Sequence, residues 1–193
     1  MNMGRAFVYM IQQPGGLGKI LIGGLLLFVP IIGWALVAGY FIRTLREVSL
    51  GGEKLPEWTD FGDLLVKGLL VWAGSLLYQL PGFLLSGGND FNALGSLWSL
   101  VVFVVLPAAL IRFAVTDNFG AFFDFSDIFS FIQRNLNNYV MVLVLSLVAW
   151  FLSLFGFILL VLGVVFTFFW ASLVVAHLYG SVYATREVEQ ANA

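Results

Sequence analysis

Apolar runs and polar breaks alternate along this chain in a pattern that predicts paired helices. Five stretches are apolar enough to enter a membrane: Lys19–Ile42, Leu64–Leu85, Ala93–Ala114, Tyr139–Phe155 and Gly156–Tyr183. A spanning helix needs about 20 such residues. The last two stretches run together from Tyr139 to Tyr183, too long for one span. They suit two helices with a turn inside Gly156–Gly163.

The first run has its own signature. Its middle reads Phe28-Val29-Pro30-Ile31-Ile32-Gly33, and Pro30 and Gly33 together supply a hairpin turn. Each arm then has about a dozen residues, roughly 18 Å, or half the apolar thickness of a bilayer. A re-entrant hairpin is favoured over a single kinked span, which stays open as the alternative.

Charge in the polar breaks favours re-entry. Ser86-Gly87-Gly88-Asn89-Asp90 carries no basic residue, and Gly156–Gly163 carries no charge. The other breaks carry Arg5, Lys19, Arg43, Arg46, Lys54, Lys67, Arg112, Arg134 and Arg186. Basic loops stay cytoplasmic. With the first run re-entrant, all 9 Lys and Arg lie on one face and both termini are cytoplasmic. A single span would instead place Arg5 and Lys19 outside.

Short segments recur in step with this pattern. Asp60-Phe61-Gly62-Asp63-Leu64 returns as Asp124-Phe125-Ser126-Asp127-Ile128, Phe41-Ile42-Arg43 as Leu110-Ile111-Arg112, and Arg46-Glu47-Val48 as Arg186-Glu187-Val188. The implied unit is an interfacial helix, a helix in, a helix out and a basic exit, at about 5–48, 57–115 and 124–188. The expected fold is an all-α membrane protein: three parallel repeats of interfacial helix plus helical hairpin, with four to six membrane helices in one domain over 1–193.

Composition narrows the class further. The chain is 61% hydrophobic and 10% charged, where a soluble domain carries about 25% charged residues. It has no Cys, hence no disulfide framework and no thiolate metal site. A net charge of −2 gives no reason to expect nucleic acid. Met1-Asn2-Met3-Gly4-Arg5 leads into no short apolar core with a cleavage site, so a removable signal peptide is not expected. The expected company is the lipid bilayer of the cell membrane, with a membrane-protein partner or a homo-oligomer.

Candidate chemistry is sparse. Phe125, Ile128, Phe129, Ile132 and Leu136 oppose Asp127, Ser130, Gln133, Arg134 and Asn137, an amphipathic helix suited to the headgroup plane. Asp60, Asp63, Asp124 and Asp127 stand at helix starts and are expected to cap them, the first of each pair through its side chain and the second through the helix dipole. A cation site shared by the two pairs is the sharper alternative. His177, Tyr78 and Gln79 are weak polar candidates within apolar runs. The histidine is expected at an interface or in a satisfied core position, and Tyr78 and Gln79 in helix–helix hydrogen bonds. Trp58, Trp72 and Trp150 suit interfaces, and Trp170 suits packing. Gly15-Gly16-Leu17-Gly18-Lys19 resembles a phosphate loop but has Gln13 where the first glycine belongs and Ile20 after the lysine. Asp60-Phe61-Gly62 lacks a kinase context.

Gly39-Tyr40-Phe41-Ile42-Arg43, then Leu55-Pro56-Glu57-Trp58-Thr59-Asp60-Phe61-Gly62-Asp63-Leu64, then Ala176-His177-Leu178-Tyr179-Gly180, resembles the bacterial and archaeal integral membrane proteins grouped as domain of unknown function 4013. The likeness covers nearly the whole chain. It implies membrane residence and no established activity, so it brings no catalytic residues and no cofactor. A structural or accessory membrane protein is the leading expectation. A small-solute or ion transporter or channel subunit is the alternative. An enzyme is not expected, because no nucleophile–base pair or metal cluster is visible in the sequence.

Overall fold

A computed structural model describes residue 13 and residues 15–52, 54–87, 92–153 and 161–191, with side chains of the last helix described over 166–184. Seven α-helices make up the described chain: α1 (Gly16–Leu27), α2 (Ile32–Ser49), α3 (Phe61–Ser86), α4 (Ala93–Thr116), α5 (Phe125–Arg134), α6 (Leu136–Ser153) and α7 (Val161–Ala191). A short 3₁₀ helix, Phe119–Phe123, precedes α5. Four helices are long and apolar enough to cross a membrane: α3, α4, α6 and the Phe166–Ala184 part of α7. The protein is therefore an all-helical membrane-embedded protein.

The first apolar run is broken into two helices where Pro30 and Gly33 predict a turn. Ile32 N–H donates to Pro30 O at 2.7 Å, closing a three-residue turn around Ile31. That turn puts Ile31 at φ 65° and ψ −68°, a strained region for a β-branched residue. Gly33 is required just after it, because a Cβ there would fall 1.8 Å from Leu26 O. Trp34 Nε1 donates to Leu27 O at 2.9 Å and covers one of the carbonyls left open at the end of α1.

The other hairpins close by similar local means. Gly87, at φ 60°, ends α3 in a left-handed cap. Trp98 of α4 donates to Tyr78 O of α3 at 2.8 Å. Trp150 of α6 lies against Phe168 of α7, centroids 4.6 Å apart, and Thr167 donates to Ser153 O at 2.8 Å. The turn of this last hairpin within Gly156–Gly163 falls largely on 154–160, outside the described residues. The interfacial helix expected at the start of the first repeat, from residue 5, likewise lies outside them.

Two helices form the centre. Six consecutive residues of α7, Ala171–Ala176, are buried, so this helix is covered on all sides. Its neighbour α2 packs on α3, α7 and α4. Glycines set the closest approaches: a Cβ on Gly39 would lie 1.9 Å from Leu64 O, and one on Gly68 1.8 Å from Ala35 O. The α2 and α3 backbones therefore touch directly, the small-residue packing that membrane helices use where apolar burial gives no drive. Gly23 and Gly24 of α1 make room for the rings of Phe169 and Phe166 of α7.

The second repeat departs from the expected unit. Residues 55–59 are irregular, and α3 starts at Phe61 without a separate interfacial helix. Only the third unit has one among the described residues, α5, which buries Ile128, Phe131 and Ile132 and leaves Phe125 and Phe129 exposed.

Candidate functional site

Most of the side-chain hydrogen bonds described in the first third of the protein converge on the irregular stretch Leu55-Pro56-Glu57-Trp58-Thr59. From α1, Lys19 Nζ donates to Leu55 O at 2.8 Å and to Glu57 Oε1 at 2.7 Å. Its backbone O accepts from Trp58 Nε1 at 3.0 Å. Just ahead of α1, Gln13 Oε1 accepts from Leu55 N at 2.7 Å. From α2, Tyr40 OH donates to Pro56 O at 2.7 Å, and Arg43 Nη1 donates to Thr59 O at 2.7 Å. The Trp58 ring stacks on Tyr40 with centroids 4.0 Å apart and 16° between planes, and Phe169 of α7 lies 5.7 Å from both rings. Irregular backbone has no helix ladder to pair its N–H and C=O groups, and here side chains from both arms and from Gln13 pair them. The segment clamps the base of the α1–α2 hairpin.

Charge continues the clamp along α3. Arg43 Nη2 pairs with Asp63 at 2.8 Å, Lys67 lies 3.4 Å from Asp63 and 3.3 Å from Asp117, and Arg46 pairs with Asp117 at 2.8 Å. These groups tie the end of α2, the start of α3 and the end of α4 together. In the next repeat Arg112 pairs with Asp127 and lies 3.6 Å from Asp124. The recurring Ile-Arg and Asp-Phe-x-Asp segments are thus the two halves of one contact made twice, Arg43 to Asp63 and Arg112 to Asp127. Half-exposed pairs of this kind contribute about 0–1 kcal/mol each. Their main effect is to fix which helix end meets which.

The aspartates play different parts. Asp124 is an N-cap, its Oδ1 accepting from Asp127 N at 3.4 Å. Asp60 holds the N-cap position of α3 but makes no side-chain cap bond. This corrects the expectation for Asp60: it sits at φ 60° and ψ 51°, and the left-handed backbone withdraws the side chain from the extended geometry a cap requires. Asp63 and Asp127 occupy the first turns of their helices. Among the described residues no group of three or more His, Cys, Asp or Glu converges on a common point, so a shared cation site is not assembled there. Replacing Asp124 by Asn should cost little and by Ala about 1 kcal/mol, read from unfolding of the purified protein. Equal losses would make the Arg112 pair, not the cap, the source of the effect.

The remaining candidates lie apart from this cluster. Tyr78 OH donates to Phe122 O at 2.5 Å, joining α3 to the 3₁₀ segment. Gln79, the next residue, is exposed on α3. His177 is half-buried in α7, and its backbone O accepts from Ser181. A groove of about 530 Å³ beside the first hairpin is lined by Leu27, Trp34, Phe41, Trp72, Trp150 and Phe168 among others. Its lining suits hydrocarbon and carries no charged group.

The model of the family described as "Protein of unknown function (DUF4013)" matches residues 22–168. The chain belongs to this family. Uncharacterized protein MJ1189 of Methanocaldococcus jannaschii is 27% identical over 139 residues, covering 61% of this chain and 47% of that protein. The chain therefore spans about half the length of the curated relative it matches. No solved structure matches the chain. The Leu-Pro-Glu-Trp-Thr-Asp-Phe-Gly stretch that carries the family resemblance is here the clamp segment. Sequence reading singled it out but missed its partners Lys19, Tyr40 and Arg43; only Arg43 carried a signal, the pairing of an Ile-Arg exit with the next Asp-Phe-x-Asp.

Proposed function

We propose that this protein is a structural or accessory component of the cell membrane that shapes or organises the bilayer from one side. The observation that carries the proposal is that Lys19, near the start of α1, and Arg43, three turns into α2, bond to the same short segment. Between those points the chain goes out about 18 Å and returns about 18 Å. A hairpin of that depth fills one leaflet and leaves the other empty. Its lipid-facing surface is large and apolar, with Leu21, Leu25, Phe28, Val29, Ile31 and Trp34 all exposed. With exposed Phe125 and Phe129 on α5, this adds volume to a single leaflet.

The same reading sets topology. Lys19, Arg43, Arg46 and Lys67 sit in one connected polar cluster with Asp63 and Asp117. Positive residues mark the cytoplasmic face, so both termini are cytoplasmic and the α3–α4 tip is outside. The chain has no Cys, so Asn2→Cys, Gly88→Cys and Ala191→Cys each report one site. In intact cells only Gly88→Cys should react with an impermeant maleimide. Labelling of Asn2→Cys from outside would overturn the one-leaflet hairpin. The functional consequence is read in vesicles: the purified protein should enrich on highly curved vesicles over flat ones, and an even distribution would count against bilayer shaping. Catalysis and transport find less support, because Arg43, Arg46, Asp63, Lys67 and Asp117 are engaged with one another at helix ends, and Arg112 with Asp124 and Asp127.

A further inference from the structure

Gln79 stands out once α3 is taken as a span. It lies eight residues before the cap Gly87, about 12 Å by helical rise, and is exposed. Its side-chain amide makes no hydrogen bond to any described residue. A bare amide with two donors and an acceptor is costly in hydrocarbon. The surface around it is a groove of about 640 Å³ between α3 and α4, lined by Gly82, Phe83, Ser86, Gly95, Ser96 and Ser99 among others. The nearby hydroxyls are already spent on their own helices: Ser86 donates to Phe83 O at 2.8 Å, Ser96 to Asn92 O at 3.1 Å and Ser99 to Gly95 O at 3.1 Å. Among the described residues nothing pairs with Gln79, which leaves its amide open to a group from a second molecule.

We propose that a second copy of this chain docks in the α3–α4 groove, with the Gln79 amides of the two copies hydrogen-bonded to each other beside a two-fold axis. The argument for a second copy is depth. Two copies inserted in the same direction are related by an axis along the bilayer normal, so each residue lies at the depth of its equivalent and one beside the axis meets it. Gln79 then faces Gln79, and a primary amide complements itself, donor to acceptor in both directions. An unrelated partner would need a polar group of its own at that depth. Gly82 and Gly95 are buried between α3 and α4 of the same chain, against Trp98 and Ser86, and the small exposed side chains of Ser96 and Ser99 leave room for a partner helix beside Gln79. This inference rests on the spanning orientation proposed above for α3 and α4.

The test uses the full-length chain in native membranes. Ser86→Cys and Ser96→Cys, each alone, are oxidised and run against Leu147→Cys, an exposed position on α6. The groove variants should form a disulfide-linked species of twice the 21.3 kDa chain mass, well above the Leu147→Cys background. Adding Gln79→Leu should lower the linked fraction about five-fold or more, and Gln79→Asn should retain most of it. Groove cysteines that react with maleimide but do not cross-link above background would overturn the proposal. So would a cross-linked product whose mass includes a different protein, or cross-linking indifferent to Gln79→Leu. Gly88→Cys labelling, read separately, tells a failure of docking from a failure of the spanning orientation.

Discussion

Gly68→Ala should destabilise the protein strongly although alanine is the better helix former. In an open helix position the change gains up to about 1 kcal/mol. Here the added Cβ would fall 1.8 Å from Ala35 O, and the opposing atom is backbone, which has no rotamer to escape into. The α2 and α3 axes must separate by more than an ångström, and the adjoining contact, Gly39 against Leu64 O, opens with them. Overpacking of this kind typically costs about 1–3 kcal/mol. Gly68→Ala combined with Gly39→Ala should exceed either alone and abolish accumulation of folded protein. Gly62→Ala is the internal control. It lies in the first turn of α3 with nothing within 4 Å of its new Cβ, and should be neutral or stabilising. Unfolding of the purified variants in detergent by a denaturing surfactant reads the order. If Gly68→Ala is as stable as Gly62→Ala, the close α2–α3 crossing is not the native packing.

The double change Pro30→Leu with Gly33→Leu should redirect the first hairpin. Pro30 costs about 3 kcal/mol inside a helix, so leucine at both positions favours one continuous helix from Gly16 through Ser49. In the turned conformation Gly33→Leu is also blocked directly, its Cβ falling 1.8 Å from Leu26 O. The straightened helix carries Lys19 away from Leu55 and Glu57 and leaves Trp58 Nε1 without the carbonyl it donates to. It also drags Arg5 and Lys19 across the membrane or inverts the hairpins that follow, against the positive-inside bias. The expected result is poor accumulation, or mixed labelling at Asn2→Cys and Gly88→Cys. Normal accumulation with unchanged labelling would mean that the clamp at the base holds the hairpin without the turn at its tip. Trp58→Ala then separates the two devices. Removing that ring should cost about 3–5 kcal/mol by lost packing, and in the turn-mutant background it should release the hairpin altogether.

The helices themselves were legible from sequence for a simple reason. Helix formation in an apolar solvent depends on local composition, and the runs of apolar residues broken at Pro30, Gly87 and Gly156–Gly163 carry that information residue by residue. The boundaries of α3 and α4 fall within a few residues of the apolar stretches, and α5 appears where the 3.6-residue pattern places an amphipathic helix. The site was only half legible. The aspartates and arginines were visible as recurring segments, yet Arg43 to Asp63 and Lys19 to Glu57 join residues 20 and 38 positions apart, and spacing alone does not say that two segments meet. Asp60 shows the limit most clearly. Its sequence context is that of a cap, but the path the chain takes out of the clamp sets its backbone in the left-handed region and takes the cap away. Sequence determined where helices form, because that follows from hydropathy read locally. Only the tertiary structure decided that Gly39 and Gly68 bring two backbones into contact and that Trp58 lies across Tyr40, because those depend on how helices cross, and crossing is a property of shape.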